Sequence, residues 1–249
     1  MHSPPHSIRN KKLPYVILGA GALAAAALVA GFLAIPLVSG AASVEGSSTQ
    51  EVPVVTEKPT LGAPRDALSQ EELSYALHLG TSDASIPDDV TSIDGSNSPQ
   101  VLSIDVSTRD VDSTDRIVDV VLYDYTSNQT FLQAVNLTSG TVESSSREGV
   151  QPPPSADEID FAFGVFLEDT AASAAVQAEF TSITGEALTS IDQLGVSGGT
   201  FVPDASTVGA EACSLDRCVE MQFRVPGGGY LDTTGFVIDL STHSVIGIQ

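Results

Sequence analysis

The chain has 249 residues, with 10 Lys and Arg against 32 Asp and Glu, 42% hydrophobic residues, two Cys and no Trp. That apolar content is globular rather than disordered. The acidic excess makes nucleic acid a poor partner, because its affinity comes largely from Lys and Arg neutralising phosphates; anionic lipid head groups would also repel it. The charge is unevenly distributed. Residues 1–40 contain no acid and three of the ten bases, so the remainder carries 32 acids against 7 bases, a formal charge of −25. Solubility outside the cell is the plainest reading of that surface, and attraction of cations or basic partners is the other.

Residues 15–38 form an uncharged run rich in Ala, Leu, Val and Gly. As a helix it would span roughly 36 Å, enough for a hydrocarbon core of about 30 Å. The basic flank Arg9-Asn10-Lys11-Lys12 orients the N-terminus to the cytoplasm. The expectation is a basic cytoplasmic tail over 1–12 and a single-pass signal anchor over 13–39. The rest then lies outside the cytoplasm. Cleavage near Gly40-Ala41-Ala42 would release it as a secreted protein, although the apolar run is longer than a usual signal-peptide core. Residues 40–64, rich in Ser, Thr, Pro and Glu without a period, read as a flexible linker.

Ser69-Gln70-Glu71-Glu72 is a capping-box pattern. Leu73, Ala76 and Leu77 follow at helical spacing, and Gly80 is a plausible stop. An acidic loop with Asp88, Asp89 and Asp94 leads to strand-like alternation at 101–106 and 116–125. A polar turn then returns the chain through 131–137, and a second turn leads into 141–146. The same order recurs. Ser155-Ala156-Asp157-Glu158 is a second capping box, with Ile159, Ala162, Phe163 and Phe166 as its apolar stripe. Residues 217–221 parallel 116–120, and 236–241 parallel 133–138. In this reading Phe223-Arg224-Val225 stands where the first unit has Tyr123-Asp124-Tyr125. Three matches in one order imply a duplicated unit. The fold class expected is α+β, with a first unit over 65–150 and a second over 151–249, each a helix on a small antiparallel sheet.

The segments "PRDALSQEELSYAL", "RIVDVVLYDYTSNQTFLQAVNLTSGTV" and "GVQPPPSADEIDFAFGVFLEDTAASAAV" together resemble the small N-terminal domains of copper amine oxidases. The resemblance covers about 63–195 and implies tandem cystatin-like modules. It does not bring the oxidase activity. Those enzymes need a large C-terminal β-sandwich, a Tyr within Asn-Tyr-Asp/Glu and three copper-binding His. This chain has no Asn-Tyr pair, and beyond residue 40 only His78 and His243.

No residue is assigned a catalytic or cofactor-binding role, and no cofactor is implied. Tyr123-Asp124-Tyr125 could tune a pKa but has no base or metal partner evident in sequence, so a packing role at a sheet edge is expected. Cys213 and Cys218 lie five apart, which in an oxidising compartment favours a disulfide; a redox pair would have two intervening residues, and a zinc site would need further ligands. Asp88, Asp89 and Asp94 are the metal candidates, but their spacing does not match an EF-hand loop. Asn128 and Asn136 head formal glycosylation sequons. Residues 227–229 are three glycines read as a hairpin loop, since no phosphate-cradling helix follows.

The function expected is therefore non-catalytic: a membrane-anchored extracytoplasmic protein acting through protein–protein contacts, its partner unidentified. An extracytoplasmic cation or small-ligand binder using the acidic loop 82–97 is the alternative. An exported enzyme is disfavoured, because no Ser, His, Cys or metal constellation is evident.

Overall fold

The computed structural model describes residues 55–109 and 112–249. The tail, the apolar segment read as a membrane anchor and the first part of the linker lie outside the described residues. Among the described residues, no helix is long and apolar enough to cross a membrane.

The architecture is α+β, with two four-stranded antiparallel sheets. The first half runs α1 (Gln70–Thr81), β1 (Gln100–Val106), β2 (Ile117–Asp124), β3 (Gln129–Asn136) and β4 (Thr141–Glu148), in sheet order β1-β2-β3-β4. The second runs α2 (Ala156–Glu168), α3 (Thr170–Thr184), β5 (Gly195–Phe201), β6 (Cys218–Arg224), β7 (Phe236–Asp239) and β8 (Ser244–Gly247), in order β5-β6-β7-β8. Both sheets lie in one compact unit.

Each sheet has an apolar face because alternate residues of its central strands point to the helix. Val118, Val120 and Leu122 on β2 join Phe131 and Val135 on β3 against Tyr75 and Ala76 of α1. Val219, Met221 and Phe223 on β6 join Phe236 and Ile238 on β7 against Ala162, Phe163 and Phe166 of α2. The aromatic rings are the centre of this second core: Phe166 stacks on Phe236 at 5.1 Å between centroids, and Phe163 meets Phe223 edge-on at 5.6 Å. Burial of each such ring contributes roughly 1.5–3 kcal/mol.

The two halves repeat in atomic detail. Ile117 pairs with Asn136 and Val118 with Val135; Cys218 pairs with Asp239 and Val219 with Ile238. Leu137 N donates to Arg116 O and Leu240 N to Arg217 O, both at 2.8 Å. Asn136 Oδ1 accepts from the amides of Thr138 and Ser139, and Asp239 Oδ1 from those of Ser241 and Thr242. The left-handed residue of the following turn is Gly140 (φ +74°) in one and His243 (φ +54°) in the other. This register corrects one alignment. Gln100 pairs with Tyr123 and Gly195 with Arg224, so Phe223 is the counterpart of Leu122. Both are fully buried, because both point to the helix face.

Three features depart from the sequence reading. Gly80 does not stop α1, which continues to Thr81 with Ser82 as its cap. The glycine lies buried over Val120 and Val135, in a helical conformation rather than the left-handed one that ends helices. Residues 55–64, read as the end of a flexible linker, form a strap along the first half. Val55 N donates to Ser74 Oγ, Lys58 Nζ to Thr138 O and Gly62 N to Glu72 Oε1, while Val55 and Leu61 pack on the core. Finally, α3 has no counterpart in the first half. Asp169 ends α2 and caps α3 by accepting from Ala171 N and Ala172 N, and Gly185 (φ +77°) terminates it.

A methyl group added at Gly80 would meet Val120 and Val135 at 3.6 Å, ordinary van der Waals contact. Gly80→Ala therefore removes the helical cost of glycine without a clash and raises stability by about 0.5–1 kcal/mol. The midpoint of urea unfolding, compared at unchanged slope, measures it.

Candidate functional site

The N-terminus of the first helix in each half is built around one glutamate. In α1, Ser69 Oγ accepts from Glu72 N at 3.2 Å, and Glu72 Oε2 accepts from Ser69 N at 2.8 Å. That reciprocal cap satisfies amides the helix leaves unpaired. The same carboxylate receives Arg116, the residue before β2, through Nε at 3.0 Å and Nη2 at 3.1 Å. Arg116 Nη1 also donates to Ala63 O and Asp66 O, both at 2.7 Å, and Nη2 to Ala67 O at 3.1 Å. All five guanidinium donors are thus engaged, with both side chains only 2% exposed. Burial alone would raise the Glu72 carboxyl, but hydrogen bonds from Arg116 and the amides of Ser69 and Gly62 hold it below its ordinary value.

The second half repeats the cap and the Glu–Arg pair in different surroundings. Ser155 and Glu158 form the cap, and Arg217 Nε and Nη2 donate to Glu158 at 2.6 and 2.8 Å. Arg217 Nη1 donates to Pro152 O at 3.0 Å. Where Gly62 N donates to Glu72 Oε1, the donor to Glu158 Oε1 is the hydroxyl of Tyr125, from the first half. The Tyr123 ring lies under the guanidinium, 4.8 Å from centroid to Cζ, and meets Tyr125 edge-on at 5.0 Å. Burial opposes the charge of Arg217, yet hydrogen bonding and attraction to Glu158 make it still harder to deprotonate.

Tyr123-Asp124-Tyr125 is therefore a joint between the two sheets. Burial pushes the Tyr123 hydroxyl up to about 12 and, together with the Glu158 charge, raises Tyr125 as well. Both phenols stay protonated at neutral pH and serve as a ring platform and a donor. Asp124 holds the turn: Oδ1 accepts from Thr126 N and Thr91 N, and Oδ2 from the amide and hydroxyl of Ser127. Its bond to Thr91 also ties down the acidic loop.

That loop does not gather its carboxylates. Asp94 Oδ1 accepts from Ser92 Oγ and from Ser96 N, and these hydrogen bonds bring its carboxyl down to about 2. Asp88 lines an open cavity of about 660 Å³ with Asp83, Ile86, Val90 and Asn97, to which neither Asp89 nor Asp94 contributes. Among the described residues, no three His, Cys, Asp or Glu side chains are placed to hold a metal ion. His78 lies in the last turn of α1, and His243 sits against Phe161 in the second half, with ring centroids 4.7 Å apart. Of the sequon residues, Asn128 accepts from Tyr123 Oη, and Asn136 Nδ2 donates to Asp115. The glycines at 227–229 form a hairpin tip, with Val225 N donating to Gly229 O.

Cys213 and Cys218 are joined as a disulfide, both fully buried. The bond closes residues 213–218, the last part of an excursion between β5 and β6 that is longer than its counterpart between β1 and β2. Ala210, both cysteines and Val237 form a small core there, with Phe201, Ile246 and Ile248 packed around it. This core holds Val202, Val208 and Leu215 on the surface, the last 77% exposed. These are three of the six large apolar residues exposed among the described residues, so this excursion is the best candidate contact surface.

The chain matches no known family model and no curated protein. The nodes of the two halves were missed in sequence as pairs, although both of their ends were visible: each capping-box glutamate and each Arg at the head of the outgoing strand.

Removing one partner of the second node leaves a buried charge unpaired. Arg217→Met should cost about 3–5 kcal/mol, and the double change Glu158→Leu with Arg217→Met should cost less than the two single changes combined. Denaturant titration of the four proteins reads both values. The tyrosines predict an alkaline transition. Their folded-state values lie above the ordinary 10, so the stability they contribute is full below pH 10 and declines above it, that of Tyr123 being lost through about 12. Tyrosinate absorbance and far-ultraviolet circular dichroism should change together in that window. In acid the sign reverses for Glu72: its contribution is full above the ordinary 4.5 and is lost as pH falls through its lowered value.

Proposed function

We propose that the chain is a non-catalytic, membrane-anchored extracytoplasmic protein whose two helix-on-sheet units act through protein–protein contacts. In this reading the units are cystatin-like modules similar to the N-terminal accessory domains of copper amine oxidases. The observation that carries it is the disulfide-clamped excursion presenting Val202, Val208 and Leu215 to solvent. Leu215 lies within the disulfide-closed loop, and exposed large apolar residues gathered on one excursion are the form a contact surface takes. The disulfide supports an oxidising compartment, and the uncharged run at 15–38 with its basic flank supports the anchor. The buried Glu, Arg and Tyr groups hydrogen-bond to one another and to nearby main chain, which supports a structural rather than a chemical use of them.

A second reading is an extracytoplasmic cation or small-ligand binder. It is favoured by the cavity of about 660 Å³ beside the acidic loop, with Asp83 and Asp88 on its wall. Calorimetry with Ca²⁺, Cu²⁺ and Mn²⁺ separates the two: heat that disappears in Asp83→Asn with Asp88→Asn favours this second reading.

The main reading predicts that the full chain stays with membranes through an alkaline wash and is cut by protease added to intact cells. A photo-crosslinking residue placed at Leu215 should then yield a defined adduct in the native membrane, lost in Val208→Asp. A soluble, protease-shielded chain would refute the location, and recovery of monomer alone would refute the contact surface.

A further inference from the structure

The two halves depend on each other unequally. The first core, from Val55 to Val142, consists of first-half residues throughout. The second core takes in Ile93 and Tyr125 from the first half. The nodes show the same inequality. Arg116 and Glu72 are completed by Gly62, Ala63, Asp66 and Ala67, all ahead of α1 in their own half. Arg217 and Glu158 take Pro152 O from their own half but need Tyr123 and Tyr125 from the other. The second sheet is also the weaker ladder. β2 and β3 pair through eight residues, β6 and β7 through two, and β5 contains Gly195, Gly198 and Gly199.

We infer that the second half is a releasable unit, which opens and unfolds while the first half stays folded and which does not persist without it. The joint of Tyr123 and Tyr125 on Glu158 and Arg217 is the latch. The opening of such a unit is a local event with its own free energy, below that of the whole protein. It would carry the disulfide excursion, and hence any partner seated there, out of its folded setting. The inference rests on the joint and the cores, and holds whether or not that surface binds a partner.

Linkage makes the consequence specific. The amides of β6 and β7 exchange hydrogen through opening of the second half, whereas those of β2 and β3 exchange only when both halves are unfolded. A weakened joint or second half lowers both free energies equally. A weakened first half lowers only the larger one. Native-state hydrogen exchange on the full chain therefore tests the order with two conservative variants. Val120→Ala, in the first core, should speed exchange of β2 and β3 amides about tenfold or more while leaving β6 and β7 unchanged. Tyr125→Phe should speed exchange in both sheets by one common factor. The inference is overturned if Val120→Ala also speeds β6 and β7, which would mean that the halves open together or in the reverse order. It is equally overturned if Tyr125→Phe changes neither sheet, because the joint would then not be a latch.

Discussion

A carboxylate at the third position of a helix ordinarily caps that helix and little else, at the surface and in water. In this chain the carboxylates of Glu72 and Glu158 are buried, and each must cap its helix and neutralise an arginine at once. That double duty fixes the helix N-terminus to the head of the outgoing strand, so the tilt of the helix across the sheet and the register of the strand below it are set together. The arrangement is costly to assemble, since both charges leave water, and more costly to break. In the first node it is tolerated because main-chain carbonyls take the spare guanidinium donors and main-chain amides the spare carboxylate lone pairs.

The difference between the two nodes explains the arrangement of the halves. Chain enters the first half from its N-terminal side, and Gly62 brings a main-chain amide to Glu72. The second half is entered from β4 through the prolines at 152–154. None of these three prolines has an N–H to give. The side-chain hydroxyl of Tyr125 supplies the missing donor. The hairpin is thereby drawn onto its neighbour, and the tyrosines expected to pack become the material of the contact.

Local patterns in the sequence disclosed much of this, and long-range pairing did not. The capping boxes at Ser69 and Ser155, the alternation of β2 and β3, and the parallel between 116–120 and 217–221 all have short-range signatures that survive in the structure. The bond from Glu72 to Arg116 spans 44 residues and that from Glu158 to Arg217 spans 59. No periodicity links such positions; only the repetition of both ends hints that they belong together. Helix α3 was overlooked although Val176 and Phe180 stand four apart with Gly185 beyond, because its stripe is weak and its surface largely Ala and Ser. Gly80 misled by one residue: it lies helical over Val120 and Val135, and the helix ends at Thr81 beyond it.

The same bonds shape the electrostatic surface. Beyond residue 40 there are seven basic side chains against 32 acids. Two of the seven, Arg116 and Arg217, are buried in the nodes; Arg109 is paired with Asp119, and Lys58 is tied to a main-chain carbonyl. Folding thus removes cations from a surface already short of them. Across the first sheet, Asp105 stands opposite Asp119, and Glu143 lies in the same row beyond Ala134. This anionic field repels its like and steers basic surfaces. The nodes and the sheet faces thus act on the surface as well as the core, leaving few free cations to offset the acids.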